Sequence, residues 1–386
     1  MRQTCLTSIL FIVLLTACSS SSLKWVQESI DAIGDAWVPD GREGWDYVSV
    51  SNYGKGFLLK GEVNQHGHKS EIISFFQENN LPFTDSLTVL PDTTLEYQGL
   101  VNVSFANMRR KPSHSAELVS QAIMGTPVLI LKSQGGWRLI QTPDDYIAWV
   151  TSSSVVACGQ ERMVAWRSSP RLIVDRQHAC VFDDRDESAV VCDLVLGSIL
   201  VYSKHEGQYL HVGLPDGRQG FVRSDEVRIF EDWVATTTPT AGNLVSYARA
   251  FMGLPYLWGG TSANGLDCSG FVKTVYFMNG VILARDASQQ IRYGESLDQS
   301  HPEDFLTGDL LFFGDTLTNR VTHVGMSLGN GEFIHESGMV HTNSFDSTKV
   351  NYSEYYRKTL LGARRMMGWP SQKGAMAVAN HPWYLN

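Results

Sequence analysis

The spacing of apolar and polar residues changes along this chain, and each rhythm predicts a different element. Near Lys24 to Ile33 the pattern is helical, then Trp45 to Val50 and Gly56 to Val63 read as strands. A helix from Ser70 to Asn79 and a strand from Asp85 to Leu90 complete a small α+β unit. After Pro91-Asp92, short apolar runs alternate with turn residues, which predicts β-barrel structure. One set of marks, Gly125-Thr126-Pro127-Val128, Gly136-Trp137-Arg138-Leu139-Ile140 and Ala148-Trp149-Val150, is followed by a weaker second set. That set is Leu196-Gly197-Ser198, Gln208-Tyr209-Leu210-His211-Val212 and Gly217-Arg218-Gln219-Gly220-Phe221-Val222, so one barrel pattern is expected twice. Ala235 to Gly242 reads as a linker. Beyond it, Ser269 to Phe277 has helical spacing, with Val272, Val275 and Tyr276 on one side.

Cys268 precedes that helix, in Asp267-Cys268-Ser269-Gly270. Unpaired N–H groups and the macrodipole at a helix start favour a thiolate, and a nearby imidazole would complete an activated nucleophile. Two histidines twelve positions apart, His323 and His335, fall in an expected hairpin of Arg320 to Leu328 and Gly331 to His335. A two-residue Asn330-Gly331 turn would point His335 away from the face carrying His323. A three-residue loop with Gly331 left-handed sets Leu328 opposite Glu332 and Val324 opposite Glu336, so both histidines share a face. Cys268 as nucleophile, His323 as base and His335 as orienter then follow triad logic.

These residues carry a resemblance. The segment from about Asn243 to Met367 resembles the NlpC-type cysteine peptidases of bacterial cell walls. It does so at Pro255-Tyr256-Leu257-Trp258-Gly259-Gly260, Asp267-Cys268-Ser269-Gly270-Phe271, Gly308-Asp309-Leu310-Leu311-Phe312-Phe313, His323-Val324-Gly325-Met326 and Phe333-Ile334-His335. Thr307 stands where a proline often precedes Gly-Asp. The resemblance implies a papain-like α+β domain that hydrolyses peptidoglycan stem peptides without a cofactor. It also implies a place near the oxyanion for Tyr256, and substrate contact for Asp267, Ser269 and Ser288. Asp267 reads equally as a helix cap. Val101 to Val156 resembles a bacterial SH3-like domain, and the domain order resembles the γ-D-glutamyl-L-diamino-acid dipeptidyl-peptidases. In that family an acidic residue and a tyrosine of the first barrel receive the free amine of L-alanine; Glu117 and Tyr146 are the candidates here.

Net charge of −9 with no long basic run argues against nucleic acid as the main partner. Arg2, the apolar run Leu6 to Leu15 and Leu15-Thr16-Ala17-Cys18 resemble a lipoprotein signal, with Cys18 lipidated and the mature protein held by lipid on the outer side of the cytoplasmic membrane or in the periplasm. Cys180 and Cys192 flank the acidic stretch Asp183 to Glu187; they either pair across a hairpin or stay unpaired. His66-Gly67-His68 reads as a polar turn rather than a metal site.

The expected architecture is therefore multidomain α+β. It comprises a signal peptide over 1–17, a lipidated tether over 18–22 and a small α+β domain over 23–96. Two SH3-like barrels follow over 97–157 and 158–232, then a linker over 233–242 and the peptidase domain with its tail over 243–386. The expected reaction is hydrolysis of the γ-D-glutamyl–diamino acid bond in stem peptides with a free N-terminal L-Ala. The alternatives are an endopeptidase on intact peptidoglycan and an inert wall-binding lipoprotein.

Overall fold

The computed structural model describes residues 20–368 and 373–385, in two compact units that divide between Leu90 and Pro91. The expected signal peptide, its cleavage box and Cys18 lie outside the described residues.

In the first unit the strand Gly56–Val63 is central, antiparallel to Asp46–Tyr53 and parallel to Phe83–Val89. Helices Ser20–Trp37 and His66–Glu78 contribute Val26, Ile30, Ile72 and Phe76 to a core with Leu59 and Val63. His66-Gly67-His68 is the first turn of a helix rather than a polar turn, and His68 is fully buried against the Trp37 ring at 5.9 Å between centroids.

The second unit opens with two barrels of identical topology. The seven strands of the first run Gln98–Val101, Phe105–Arg109, Leu118–Ile123, Pro127–Gln134, Trp137–Gln141, Ile147–Thr151 and Val155–Cys158. Those of the second run Arg171–Val174, His178–Phe182, Val190–Val195, Ile199–Glu206, Tyr209–Gly213, Gln219–Arg223 and Val227–Ile229. In both sheets the spatial order is seventh, first, fourth, fifth, sixth, second, third. The weak sequence repeat is thus a true repeat of fold. Cys180 and Cys192 are unpaired. Cys180 lies opposite Asp193 and Cys192 opposite Val181, so the two thiols point to opposite faces of the sheet.

The segment read as a linker is largely ordered. Helix Phe230–Thr236 buries Phe230 and Trp233, whose indole N–H donates to the Met278 carbonyl at 3.2 Å. Thr240 caps the next helix, Ala241–Ala250, by accepting from the Asn243 amide, so only residues 237–240 lack regular structure. The apolar residues that pin this stretch come just before its threonines.

The C-terminal domain is built on a six-stranded antiparallel sheet. Its order is Glu295–Leu297, Leu360–Arg365, Leu310–Asp315, Arg320–Gly329, Glu332–Ser337, Met339–Ser344. Strand alternation divides its apolar residues. Phe312, Val324, Met326 and Ile334 join a core with Phe271, Val272 and Val275 of the helix Cys268–Phe277. Leu311, Phe313, Phe333 and Phe345 form a second cluster that Tyr356 covers. Truncating a ring such as Phe271 would cost about 3–5 kcal/mol, so the platform under Cys268 is stiff. The tail also packs: Ala375–Ala377 pairs with Val281–Leu283, and the Tyr384 carbonyl accepts from the buried Arg171 at 2.7 Å.

Candidate active site

The helix Cys268–Phe277 starts where it does because Asp267 caps it, accepting from the Gly270 amide at 2.7 Å. Gly270 is required by proximity: a Cβ there would stand 2.0 Å from the Gly260 carbonyl oxygen. Asp267 also accepts from the Gly259 amide at 3.0 Å and from the Ser269 hydroxyl at 3.0 Å. Opposite it lies Arg285, fully buried, which sequence reasoning missed. Its Nη2 donates to Asp267 at 2.6 Å and its Nη1 at 3.1 Å, while Nη1 also reaches the Ser269 hydroxyl at 3.0 Å. Its Nε donates to the Ser120 hydroxyl of the first barrel at 3.0 Å. Burial would pull the guanidinium's pKa down, but Asp267 beside it more than reverses that and raises it. Asp267 and Ser269 are therefore both held in this network, which fixes the helix start.

Cys268 is buried at the first turn of the helix, and burial, followed by the Asp267 charge, pushes its thiol up to about 12. Hydrogen bonds from the backbone of Val324 and Ser269, and the Arg285 charge, act the other way. The expected pull of the helix start toward thiolate is thus outweighed in the resting site, and the sulfur waits as a thiol. Val324 directly follows His323, so the thiol meets the sheet at the base candidate's own strand.

The two histidines do share a face, but the turn differs from the expected one. Asn330 and Gly331, with φ of 52° and 72°, form a two-residue turn, and Gly329 pairs with Glu332. A register shift between Ser327 and Gly329 then leaves Leu328 as an extra residue, which restores the Gly325–His335 pairing. His323 Nε2 lies 2.9 Å from His335 Nδ1, and His335 Nε2 lies 2.9 Å from Asn343 Oδ1. Burial first, and then the other histidines around them, lowers His323 to about 4 and His335 to about 3. Tyr356 stacks on His323 with centroids 5.5 Å apart and the planes at 28°. A neutral thiol held against the strand that carries a neutral imidazole can form an ion pair with it once substrate charge develops, which is what acyl transfer through sulfur needs.

Tyr256 is half-buried, and its hydroxyl pKa is raised by burial and then by the neighbouring Cys268 and Asp267 charges, so it stays a donor. Ser288 lies half-buried in the short helix Ala287–Gln290, three residues past Arg285. Glu336, next to His335, is completely buried, and neither carboxyl oxygen has a hydrogen-bond partner among the described residues. Burial pushes its pKa up to about 8.

The first barrel borders this site directly. The Gln121 side chain accepts from the Thr261 amide at 3.0 Å and from the Ser262 hydroxyl at 2.9 Å. Glu117 Oε1 accepts from the Trp258 indole at 3.1 Å, two residues beyond Tyr256, and Glu117 Oε2 accepts from Arg110 at 2.7 Å. Tyr146 is buried in the barrel core, close enough to Arg285 to interact with it electrostatically. Glu117 is thus hydrogen-bonded to the C-terminal domain through Trp258, whereas Tyr146 stands nearer Arg285.

Residues 253–365 match the model of the NlpC/P60 family, and residues 108–155 match that of the bacterial dipeptidyl-peptidase Sh3 domain. A γ-D-glutamyl-L-lysine dipeptidyl-peptidase of Bacillus cereus is 28% identical over 264 residues, covering 66% of this chain and 77% of that protein. The murein DD-endopeptidase MepS/murein LD-carboxypeptidase of Escherichia coli is 32% identical over 139 residues, covering 36% of this chain and 69% of that protein. Among solved structures, an NlpC/P60 family protein from Bacillus cereus aligns with a TM-score of 0.61 at 23% identity, covering 69% of this chain and 99% of that one.

Proposed function

The chain belongs to the NlpC/P60 family of cysteine peptidases, and from that premise we propose that it cleaves the γ-D-glutamyl–L-diamino acid bond of stem peptides with a free N-terminal L-Ala, releasing L-Ala-D-Glu. The observation that carries this reading is the Glu117–Trp258 bond. It sets a first-barrel carboxylate against the loop that bears Tyr256, where the amino end of a short substrate would lie. Relatives named as dipeptidyl-peptidases support it.

In this mechanism His323 takes the Cys268 proton as the sulfur attacks the γ-carbonyl of D-glutamate. The carbonyl oxygen gains charge beside the helix start and the Tyr256 hydroxyl, where donors stabilise it. The imidazolium of His323 then protonates the departing amine of the diamino acid. Water, losing its proton to His323, cleaves the thioester and frees the new carboxylate.

A second reading, an endopeptidase on intact peptidoglycan, has one observation in its favour. Arg110 already neutralises Glu117, so the edge does not require a substrate ammonium. We also propose export and lipidation at Cys18, from the Leu15-Thr16-Ala17-Cys18 box. Incorporation of a labelled fatty acid that survives Cys18→Ala would overturn that.

The deciding experiment is mass spectrometry of digests of L-Ala-γ-D-Glu-meso-diaminopimelate and its N-acylated, muramyl-linked form, with Cys268→Ala as control. Cleavage of only the free peptide is expected. Cleavage of both at similar rates would favour the endopeptidase.

A further inference from the structure

The histidine pair ends on a side chain that no sequence signal pointed to. Asn343 lies in the strand Met339–Ser344, opposite Phe333, with Oδ1 2.9 Å from His335 Nε2. Its Nδ2 donates to the Asn351 carbonyl at 3.0 Å. This second bond decides how the amide lies, because a carbonyl oxygen can only accept and so must face the NH₂. Asn343 Oδ1 is then an acceptor facing His335, and His335 Nε2 must carry the proton. His335 Nδ1 is left with a lone pair, and His323 Nε2, 2.9 Å away, must donate to it. That leaves the lone pair of His323 on Nδ1. Each bond in the chain Asn351–Asn343–His335–His323 has one solution, and it is set from the asparagine end.

We propose that Asn343, anchored by the Asn351 carbonyl, is a positioning residue that fixes the proton arrangement of the histidine pair, so that His323 offers Nδ1 as the base. The proposal rests on the reading of Cys268 and His323 as nucleophile and base. It gives Asn343 two tasks. Before reaction it forbids the His335 tautomer with a proton on Nδ1, which would set two N–H groups against each other. During reaction it holds His335 as an acceptor while His323 is an imidazolium, which stabilises the thiolate–imidazolium pair. The titratable groups facing the histidines are few. His341 lies on the Asn343 strand with its ring 4.4 Å from that of His335, Tyr356 stacks on His323, and Asp267 bears on His323 from the nucleophile helix. None of these takes the place of Asn343 at His335 Nε2 among the described residues.

The test uses the whole protein and needs no peptide substrate. The rate of Cys268 alkylation by iodoacetamide is followed from pH 5 to 10, with the modified residue assigned by mass spectrometry and thermal unfolding measured alongside. Wild type, Asn343→Leu, Asn343→Asp and His323→Phe are compared. Loss of one hydrogen bond that holds the acceptor of the imidazolium is worth up to about tenfold in rate. Asn343→Leu should therefore slow alkylation by about tenfold at pH 7 and throughout the rising limb, which is the same as moving that limb up by about one pH unit. Asn343→Asp, which still accepts from His335 and adds charge that favours the imidazolium, should recover the rate and widen the reactive pH range. An unchanged rate and profile in Asn343→Leu would overturn the proposal. So would equal slowing in both Asn343 variants with the profile unmoved, since that is the signature of a purely structural role. If His323→Phe leaves the wild-type profile intact, the reading of His323 as base fails first.

Discussion

Two guanidinium–carboxylate pairs of nearly equal length stand at the start of the Cys268 helix and against the Trp258 loop, and they do different work. Arg285 and Asp267 meet at 2.6 Å with 0% and 11% of their side chains exposed. Arg110 and Glu117 meet at 2.7 Å with 64% and 39% exposed. In the first pair water is gone, and each charge depends on the other and on a dense set of further hydrogen bonds. In the second, water competes with the partner. Distance alone does not rank them. Burial does: removing one partner of a buried pair costs about 3–5 kcal/mol, whereas an exposed pair is worth about 0–1 kcal/mol. The molecule fixes its chemistry with the first kind of pair and leaves the second kind at the edge that would read a substrate.

The largest effect should follow Arg285→Met. It leaves the Asp267 carboxylate buried without its counter-charge, loosens the start of the nucleophile helix and cuts the bond to Ser120. Stability should fall by about 3–5 kcal/mol, and whatever remains folded should hydrolyse peptide at least about a hundredfold more slowly, since a misplaced nucleophile costs that much. Arg285→Lys should rescue little, because an ammonium cannot span Asp267, Ser269 and Ser120 at once. Urea unfolding with a single-turnover assay checks both parts. Near wild-type stability in the methionine variant would mean that the buried pair is not the keystone its geometry indicates.

What could be read from the chain follows from how local each signal is. Cys268 at a helix start and two histidines across a hairpin are patterns confined to short stretches, so the start of the helix at Cys268 and the pairing of His323 with His335 were legible. The shared histidine face was legible too, although it arises from a two-residue turn plus an extra Leu328 rather than from a three-residue loop. Three adjacent positive φ values, at Gly329, Asn330 and Gly331, admit either loop, and only the pairing beyond it chooses. Arg285 was illegible because Ser120 is 165 residues away. Asn343 owes its meaning to Asn351, and the tail owes its anchor to Arg171 in the second barrel. The repeat of barrels was visible only in outline, since strand order, not sequence, is what the two copies share most fully.

Glu336 is the intermediate case, a buried carboxyl with no partner charge among the described residues. With its pKa raised from 4.5 to about 8, the folded state holds a proton that the unfolded state releases between those values. The stability it contributes is complete below pH 4.5 and is lost as pH rises to about 8. His323 and His335 act in the opposite sense. Lowered from 6.5 to about 4 and about 3, they stay neutral while the unfolded chain takes up protons, so stability is lost as pH falls below 6.5. Glu336→Gln keeps the shape and removes the titration. It should raise the melting temperature at pH 8.5 by about 2–4 °C, the shift expected for roughly 1 kcal/mol, and change it less at pH 5. Equal shifts at both pH values would show that Glu336 is ionised throughout.

The smallest effect on the fold should come from Arg110→Ala, and it is the most informative about substrate. Both side chains of this pair are too exposed for its loss to matter to stability, so unfolding should move by less than about 0.5 kcal/mol. Glu117, released from Arg110 yet still held by the Trp258 indole, would keep its place and gain net negative charge at the edge. If that carboxylate receives the amine of L-Ala, KM for the free peptide should fall about threefold to tenfold with kcat unchanged, because only uniform binding has changed. Glu117→Gln should raise KM by a similar factor, and neither variant should alter cleavage of the N-acylated peptide. Arg110→Ala raising KM instead would assign the guanidinium itself to substrate. It would then read a carboxylate, and the exposed pair would be a binding site of the opposite sign.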